Sequence, residues 1–452
     1  MIFAKTALLE NGWAENVRLV LAQGTIEAIT TGAEPATGDI RVDTLLPALA
    51  NLHSHSFQRA MAGMTEFRAA GRDSFWSWRD LMYRFVNRIT PEQLEAIAAM
   101  VFLEMQEAGY ASVGEFHYVH HQKGGAPYAD MAELSNRIFA AASATGIGLT
   151  YLPVLYTYGG AGQLPLAEGQ LRFGNDVDQF LALTEAARRG LSHLPADAGM
   201  GLAPHSLRAT SPADLARLLA LHKGGPIHIH AAEQPKELKD VEAWLGARPV
   251  EWLLNNAQVN QNWCVIHATH MTEDETRRLA HSGAVAGLCP ITESNLGDGP
   301  FNGPLYLAHG GAFGIGSDSN VNISLTEELR TLEYSQRLRD LARNVLVKGE
   351  GSVGQTLYLG AAHGGARALD RNSGSIAVGR LADLVAIDRS APALCALEQH
   401  QILDGFVFAA KDSVITDVWA AGRHNVQNGR HKAHDKIVAD YRRAMNALLA
   451  SD

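Results

Sequence analysis

The segment Leu46–Arg59, LPALANLHSHSFQR, is where the chain first couples a buried run to metal-binding chemistry. An apolar stretch containing Pro47 ends in His53-Ser54-His55, and side chains two apart on a strand point to the same face. Both imidazoles can therefore reach one point. A His-x-His pair also arises by chance in a chain with 19 His, and a single His beside an apolar run is usually a hydrogen-bonded core residue. What sets this pair apart is recurrence. Apolar runs ending in a ligand-capable side chain return at Pro226–Glu233, Cys264–His270 and Phe313–Asn320.

Outward from this segment, helix and strand patterns alternate. Thr90, Pro91 and Gln93 read as a capped helix start with Leu94, Ile97, Val101 and Met105 at helical spacing, and Gly109 stops it. Strand candidates follow at Ala111–Phe116, Ile147–Leu155, Gly199–Pro204, Pro226–His230, Trp263–His267, Ala284–Leu288 and Phe313–Gly316. Helices between them are read around Asp130–Ala144, Val177–Arg189 and Ser211–His222, with a capping box of Thr272 and Glu275 before one ending near His281. Such alternation implies parallel pairing and an α/β fold, a (β/α)8 TIM-like barrel, with a doubly wound open sheet as the alternative. The scattered polar set at strand ends favours the barrel, where all strand C-termini share one mouth.

The two chain ends read differently. Ile2–Ala4, Val17–Leu21 and Ile26–Ile29 are short runs broken at Asn11-Gly12 and Gln23-Gly24, a hairpin signature. Gly374–Ile376, Ala382–Ile387 and Val414–Ala421 form a second β-rich block. Both ends are expected to build one small β-sandwich domain, giving residues 1–48, 49–370 (the barrel), 371–425 and a helical tail at 426–452.

With 452 residues and 46% hydrophobic content the chain can bury a large core. A formal net charge of −10 argues against nucleic acid and anionic membranes as partners. The three cysteines, Cys264, Cys289 and Cys395, fit a reducing compartment better than a disulfide framework; none has metal spacing, and the first two read as buried structural residues. The first residues lack a basic start with a long apolar block, and no apolar run approaches a membrane span. A cytoplasmic protein is expected.

In His228-Ile-His230-Ala-Ala-Glu233 the two histidines share a face. His230 is nearer the strand's C-terminal end and is the preferred ligand, with His228 packing behind it. Glu233 follows where a carboxylate can reach a metal-bound water; the bland alternative is a His-rich strand with a solvated Glu. Asp318, in FGIGSDSN, follows a buried run directly, which is costly without a cation or donors nearby, although Gly-Ser-Asp-Ser-Asn is also ordinary turn composition. His267 ends its own apolar run and, taken alone, reads as a satisfied His.

Three His and one Asp with an open position suit a catalytic Zn²⁺ or similar divalent ion, which can lower the pKa of bound water from about 15.7 towards 7. Attack on an sp² carbon then needs a base, an acid for the leaving nitrogen and a donor for the developing charge. Asp318, Glu233 and His267 match these needs by type and position.

The ordered pattern His53-x-His55, His230 with Glu233, His267 and Asp318, between β segments at both ends, resembles the mononuclear deaminase branch of the amidohydrolase superfamily. GSIAVGRLADLVAID, 374–388, is similar to that superfamily's return into its β domain. Gly199–Ser206 lacks the lysine of the two-metal members, so the resemblance implies one metal ion. More narrowly, LHSHSFQRAMAG, DSFWSWRDLMYR, GEFHYVHH, APHSLRA, HIHAAEQPKE and GSDSN resemble the formimidoylglutamate deiminases of histidine degradation, over nearly the whole chain. That resemblance implies hydrolysis of N-formimino-L-glutamate to N-formyl-L-glutamate and ammonia, with Gln58, Arg79, Tyr118, His205 and Arg208 lining the substrate pocket. Dimers are common in the family, so a homodimer is expected.

The residues themselves point the same way. The substrate is dianionic, and a guanidinium binds a carboxylate through two parallel hydrogen bonds. Arg208 follows the strand ending at His205-Ser206, and Arg79 is read in an aromatic loop with Phe75, Trp76 and Trp78. Either arginine could equally be a surface residue paired with an acid, and Tyr118 could equally be packing. The rivals are a deaminase of purine, pyrimidine or triazine rings and a non-catalytic relative that keeps the barrel. Two arginines argue against the first and the complete ligand set against the second. The segments Leu296–Gly303 and Arg68–Arg84 are candidates for closing over the site.

Overall fold

A computed structural model describes residues 1–67 and 75–450 of the chain. The first strands are β1 (Ile2–Leu9), β2 (Gly12–Ala22), β3 (Thr25–Thr30) and β4 (Ile40–Pro47). The break at Gln23-Gly24 is a tight turn in which both residues have positive φ, 49° and 85°, as the twist of a two-residue hairpin requires. The chain then leaves this sheet and makes β5 (Leu49–Ser54), β6 (Tyr110–His117), β7 (Gly148–Leu155), β8 (Gly199–Met200), β9 (Ala203–Pro204), β10 (Ile227–Ala231), β11 (Trp263–His267), β12 (Val285–Leu288) and β13 (Ala312–Ile315) before returning through β14 (Leu384–Ile387), β15 (Ile415–Ala420), β16 (Arg423–Gln427) and β17 (Arg430–His431). A helix, His434–Leu449, follows.

The returning strands join the opening ones in one eight-stranded sheet, ordered β17-β16-β15-β14-β4-β1-β2-β3. The seam is β4 against β14, antiparallel, with Leu45 opposite Ala386 and Leu46 opposite Val385. Strand alternation splits these residues between two cores. Leu45, Leu384, Ala386 and Trp419 face Ile2, Val17, Leu19 and Ile26 within the small sheet. Leu46, Val385, Ile387 and Val418 face the large core of the rest of the chain. The joining of both ends agrees with the sequence reading, although Gly374–Ile376 is loop rather than strand; its Ile376 carbonyl accepts from the Glu10 amide. Strands β4, β16 and β17 were not anticipated.

The central strands form two parallel sheets, β5-β6-β7-β8 with β9 also pairing β7, and β10-β11-β12-β13. Burial on both faces is what helix-covered parallel strands require, and β6, β7, β10 and β11 are buried along their whole length. The two sheets meet at both edges. At one, the His55 amide donates to the Asp318 carbonyl and the Asp318 amide to that of His53, both at 2.9 Å. At the other, the amides of His228 and His230 donate to the carbonyls of Leu202 and His205. The expected strand Gly199–Pro204 is broken into β8 and β9, because at Gly201 the backbone passes so close to its neighbour that a Cβ would lie 2.5 Å from the Pro226 carbonyl oxygen.

The helices follow the caps read from sequence. Thr90 with Gln93, and Thr272 with Glu275, each form the reciprocal pair of hydrogen bonds of a capping box. One local expectation is corrected: Arg79 is not in a loop but on a helix, Phe75–Val86. Phe75, Trp78, Met82 and Val86 recur at spacings of three and four, which gives this aromatic segment an apolar face to bury. Of the segment Arg68–Arg84, residues 68–74 lie outside the described residues. No helix among the described residues is long and apolar enough to cross a membrane.

Candidate active site

Residues at the C-terminal ends of the parallel strands converge. His53 Nε2 lies 3.1 Å from His55 Nε2 and 3.1 Å from His230 Nε2. Asp318 Oδ1 lies 3.2 Å from His55 Nε2 and 3.5 Å from His53 Nε2. The four side chains are buried. Backbone carbonyls fix two of the imidazoles: His55 Nδ1 donates to Phe116 O at 2.9 Å and His230 Nδ1 to His205 O at 3.0 Å. With Nδ1 protonated, each Nε2 presents a lone pair to the others and to a carboxylate. Such an arrangement repels itself unless a cation lies between the atoms, and carbonyl-anchored imidazoles are the usual way of aiming His at a metal. The donor set therefore fits a divalent ion.

The electrostatics agree. Burial pushes His53 down to about 3, against the opposing pull of Asp318. Burial, then the neighbouring His53, holds His230 well below its ordinary value. Burial alone would raise Asp318, but the adjoining His53 and His55 outweigh it and keep the carboxyl well below the usual range. Neutral imidazoles and an ionised carboxylate are the forms that bind metal.

Three further groups surround this cluster. His267 Nδ1 lies 3.2 Å from Glu293 Oε1, and its Nε2 is 3.9 Å from both Glu233 Oε1 and Asp318 Oδ2. Burial disfavours its charged form, yet Glu233, Glu293 and Asp318 together raise it to about 10, which favours the imidazolium. Glu233 is raised above the ordinary carboxylate value, chiefly by burial. His228 Nε2 donates to Ala368 O, 2.7 Å away, behind the site, as expected of a packing residue.

One cavity, an envelope of about 540 Å³ including its mouth, opens over the cluster. Gln58, Arg79, Tyr118, His205 and Arg208 all line it, together with His55, His230, Glu233, His267 and Asp318. Gln58 Nε2 donates to the Tyr118 hydroxyl at 2.9 Å, and Gln58 Oε1 is buried without a partner. The Arg79 guanidinium lies over the Trp76 ring, 4.5 Å from its centroid. Arg208 is half-buried, 3.4 Å from Glu233 Oε2 and 3.8 Å from Glu237 Oε1.

The sequence profile of the amidohydrolase family matches residues 44–424. The chain belongs to the amidohydrolase family. A second profile, "Formimidoylglutamate deiminase HutF, N-terminal domain", matches residues 1–43. The chain is 49% identical to the formimidoylglutamate deiminase of Pseudomonas aeruginosa, with 99% of each chain covered. Among solved structures it is similar to an amidohydrolase from Brucella melitensis, at 48% identity, TM-score 0.95 and 99% of each chain. A more distant fold neighbour is an adenosine deaminase from Xanthomonas campestris with bound zinc, at 23% identity, TM-score 0.80 and coverage of 99% and 98%.

As an amidohydrolase, the chain is a metal-dependent hydrolase of carbon–nitrogen bonds, and its His-rich cluster supplies a site able to hold the ion. Some neighbours of the site escaped the sequence reading. Glu293, on the helix Pro290–Leu296, holds His267, and Tyr156 and Phe173 line the cavity; Met82, Tyr83 and Leu296, from the two segments read as possible covers, line it too. Cys289 is buried as expected but lies within ligand-atom reach of His267 and Asp318, which its spacing in sequence did not suggest. A carboxylate in an otherwise apolar turn, as in Pro290-Ile-Thr-Glu293, was the available signal for Glu293.

Left-handed backbone concentrates at this site. Ala232, His267, Ala268, Asp318 and Asn320 all have φ between 47° and 66°. Strain of this kind persists where the surroundings over-determine it, as at a functional site. Gly316 serves the same end: a Cβ there would lie 2.7 Å from the His53 backbone, so glycine lets the Asp318 segment approach β5.

Proposed function

We propose that this protein hydrolyses N-formimino-L-glutamate to N-formyl-L-glutamate and ammonia. The observation that carries the reading is one cavity in which Arg79 and Arg208, from separate elements, face the same space as the His53–His55–His230–Asp318 cluster. A dianionic, acyclic amidine gives both guanidiniums a partner, whereas a neutral purine, pyrimidine or triazine ring gives them none. The 49% identity to a formimidoylglutamate deiminase over 99% of the chain supports the same substrate.

His53, His55, His230 and Asp318 would hold one divalent ion, and this ligand set suits Zn²⁺. When bound, the ion supplies an activated water at neutral pH. The residues of the chain do the rest. Arg79 and Arg208 hold the two carboxylates, while Gln58, Tyr118 and His205 shape the pocket around the formimino group. Asp318 accepts a proton from the attacking water at a carboxylate oxygen. Glu233 carries protons to the imino nitrogen, and its raised pKa suits that exchange. The His267 imidazolium, steadied by Glu293, donates from Nε2 to the oxygen on the tetrahedral carbon. Collapse breaks the bond to the protonated nitrogen, releases ammonia and leaves the formyl group.

The proposed architecture is a (β/α)8 barrel with a small β-sandwich, and the backbone supports it. Two parallel sheets bonded at both edges support a (β/α)8 barrel, and the bridge between Thr25 and Leu381, with Gly24 close to Ala421, supports a terminal β-sandwich. The corresponding units are 1–48, 49–370 and 371–431, the last extended past the expected 425 by β16 and β17, so that the helical tail is His434–Leu449 rather than 426–452. A cytoplasmic homodimer without nucleic-acid or membrane partners completes the reading. Ammonia release from N-formimino-L-glutamate, guanine and cytosine, assayed side by side, tests it. Turnover of the first alone is expected; turnover of either ring in preference to it would overturn the reading.

A further inference from the structure

Glu237 has no place in the chemistry above, yet it is fully buried beneath it. Strand β10 ends at Ala231, Ala232 takes φ 57°, and Glu233 follows before the helix Pro235–Leu245. One oxygen of Glu237, Oε2, accepts a hydrogen bond from the Glu233 backbone N–H at 2.9 Å. The other, Oε1, has no hydrogen-bond partner and lies 3.8 Å from Arg208 Nε, which is also buried without one. A first-turn carboxylate that only capped its helix would not need this second arrangement. A desolvated carboxylate oxygen facing a buried Nε–H without a hydrogen bond is costly to maintain unless the charge serves something.

Resting on the proposed function, we propose that Glu237 is a positioning residue that couples carboxylate recognition to proton transfer. Its charge orients Arg208 towards the substrate carboxylate, and its span holds the kinked backbone that aims Glu233. Selectivity for acidic over uncharged amidines is thus set partly by a side chain that touches neither the substrate nor the reacting atoms.

Two variants separate the two tasks. Glu237→Gln keeps the span and an oxygen for the Glu233 N–H but removes the charge. It is expected to raise KM for N-formimino-L-glutamate at least tenfold while kcat falls less than threefold. Glu237→Asp keeps the charge but is one methylene too short to reach both partners. It is expected to lower kcat at least tenfold with KM little changed. Formamidine, which has no carboxylate, is the control substrate: the Gln variant should lose at least fivefold less kcat/KM on it than on N-formimino-L-glutamate, and the Asp variant should lose equally on both. The proposal is overturned if the Gln variant keeps KM within twofold, or if both variants lose kcat and KM alike on both substrates, the pattern of a merely structural residue. Wild-type protein that ignores N-formimino-L-glutamate would instead refute the proposed function.

Discussion

The Nε2 atoms of His53 and His230 lie 3.1 Å apart although the residues are separated by 177 positions in sequence. They sit at the ends of strands in different parallel sheets, so the contact exists only because those sheets meet at their edges. The fold's main job at this point is to bring lone pairs together, and the functional consequences follow from what can occupy the space between them.

Glu233→Gln removes the proton carrier but not a ligand. The variant should bind metal as the wild type does, measured by elemental mass spectrometry, while kcat falls by about 10² to 10⁴. Normal turnover would remove Glu233 from the proton path.

Arg208→Ala leaves a substrate carboxylate and Glu237 facing one another without a counter-charge. Truncating one partner of a buried charge pair costs about 2–5 kcal/mol, so kcat/KM should drop by about 30-fold or more, chiefly through KM. An unchanged kcat/KM would place Arg208 outside the binding site.

Asp197 ties the two parts of the chain together. It meets Arg371 at 2.9 Å and Arg423 at 2.7 Å, and Arg371 also meets Asp383 at 2.6 Å. Burial pushes the Asp197 carboxyl up, but Arg423 and Arg371 outweigh it and hold it below the ordinary value. A depressed folded-state pKa stabilises the protein above the unfolded value, about 4, and that contribution disappears as pH falls through the folded value. Asp197→Asn should therefore lower Tm at pH 7 and flatten its decline below pH 4. Parallel Tm–pH curves for the two proteins would contradict this.

Gly364 marks the closest approach of the helix Val353–Ala368 to β13, where a Cβ would lie 1.8 Å from the Phe313 carbonyl oxygen. Gly364→Ala should destabilise the fold by about 3 kcal/mol, read from chemical denaturation, because backbone on both sides leaves no side chain to yield. Wild-type stability would mean the helix can move away freely.

What the sequence disclosed, and what it hid, has a physical pattern. His53, His55, His230 and Asp318 were readable because a two-residue period and a run's end fix both face and depth. The capping boxes at Thr90 and Thr272 were readable because their partners lie three residues away. Strand β4 was hidden because Leu45–Ala50 is one unbroken apolar run, and nothing local says that it serves two sheets in turn. The helix carrying Arg79 was misread because aromatic density obscured its spacing of three and four. Glu293 depends on a partner 26 positions away, and the left-handed turns at Ala232 and Asp318 are imposed by tertiary contacts.

The most direct test is anomalous diffraction at the zinc absorption edge from crystals of the zinc-loaded protein. A single peak about 2.1 Å from His53 Nε2, His55 Nε2 and His230 Nε2, and in bonding reach of an Asp318 oxygen, is the predicted result. A peak centred instead on His267, Cys289 and Asp318, or none near the three histidines, would contradict the assignment on which the proposed chemistry rests.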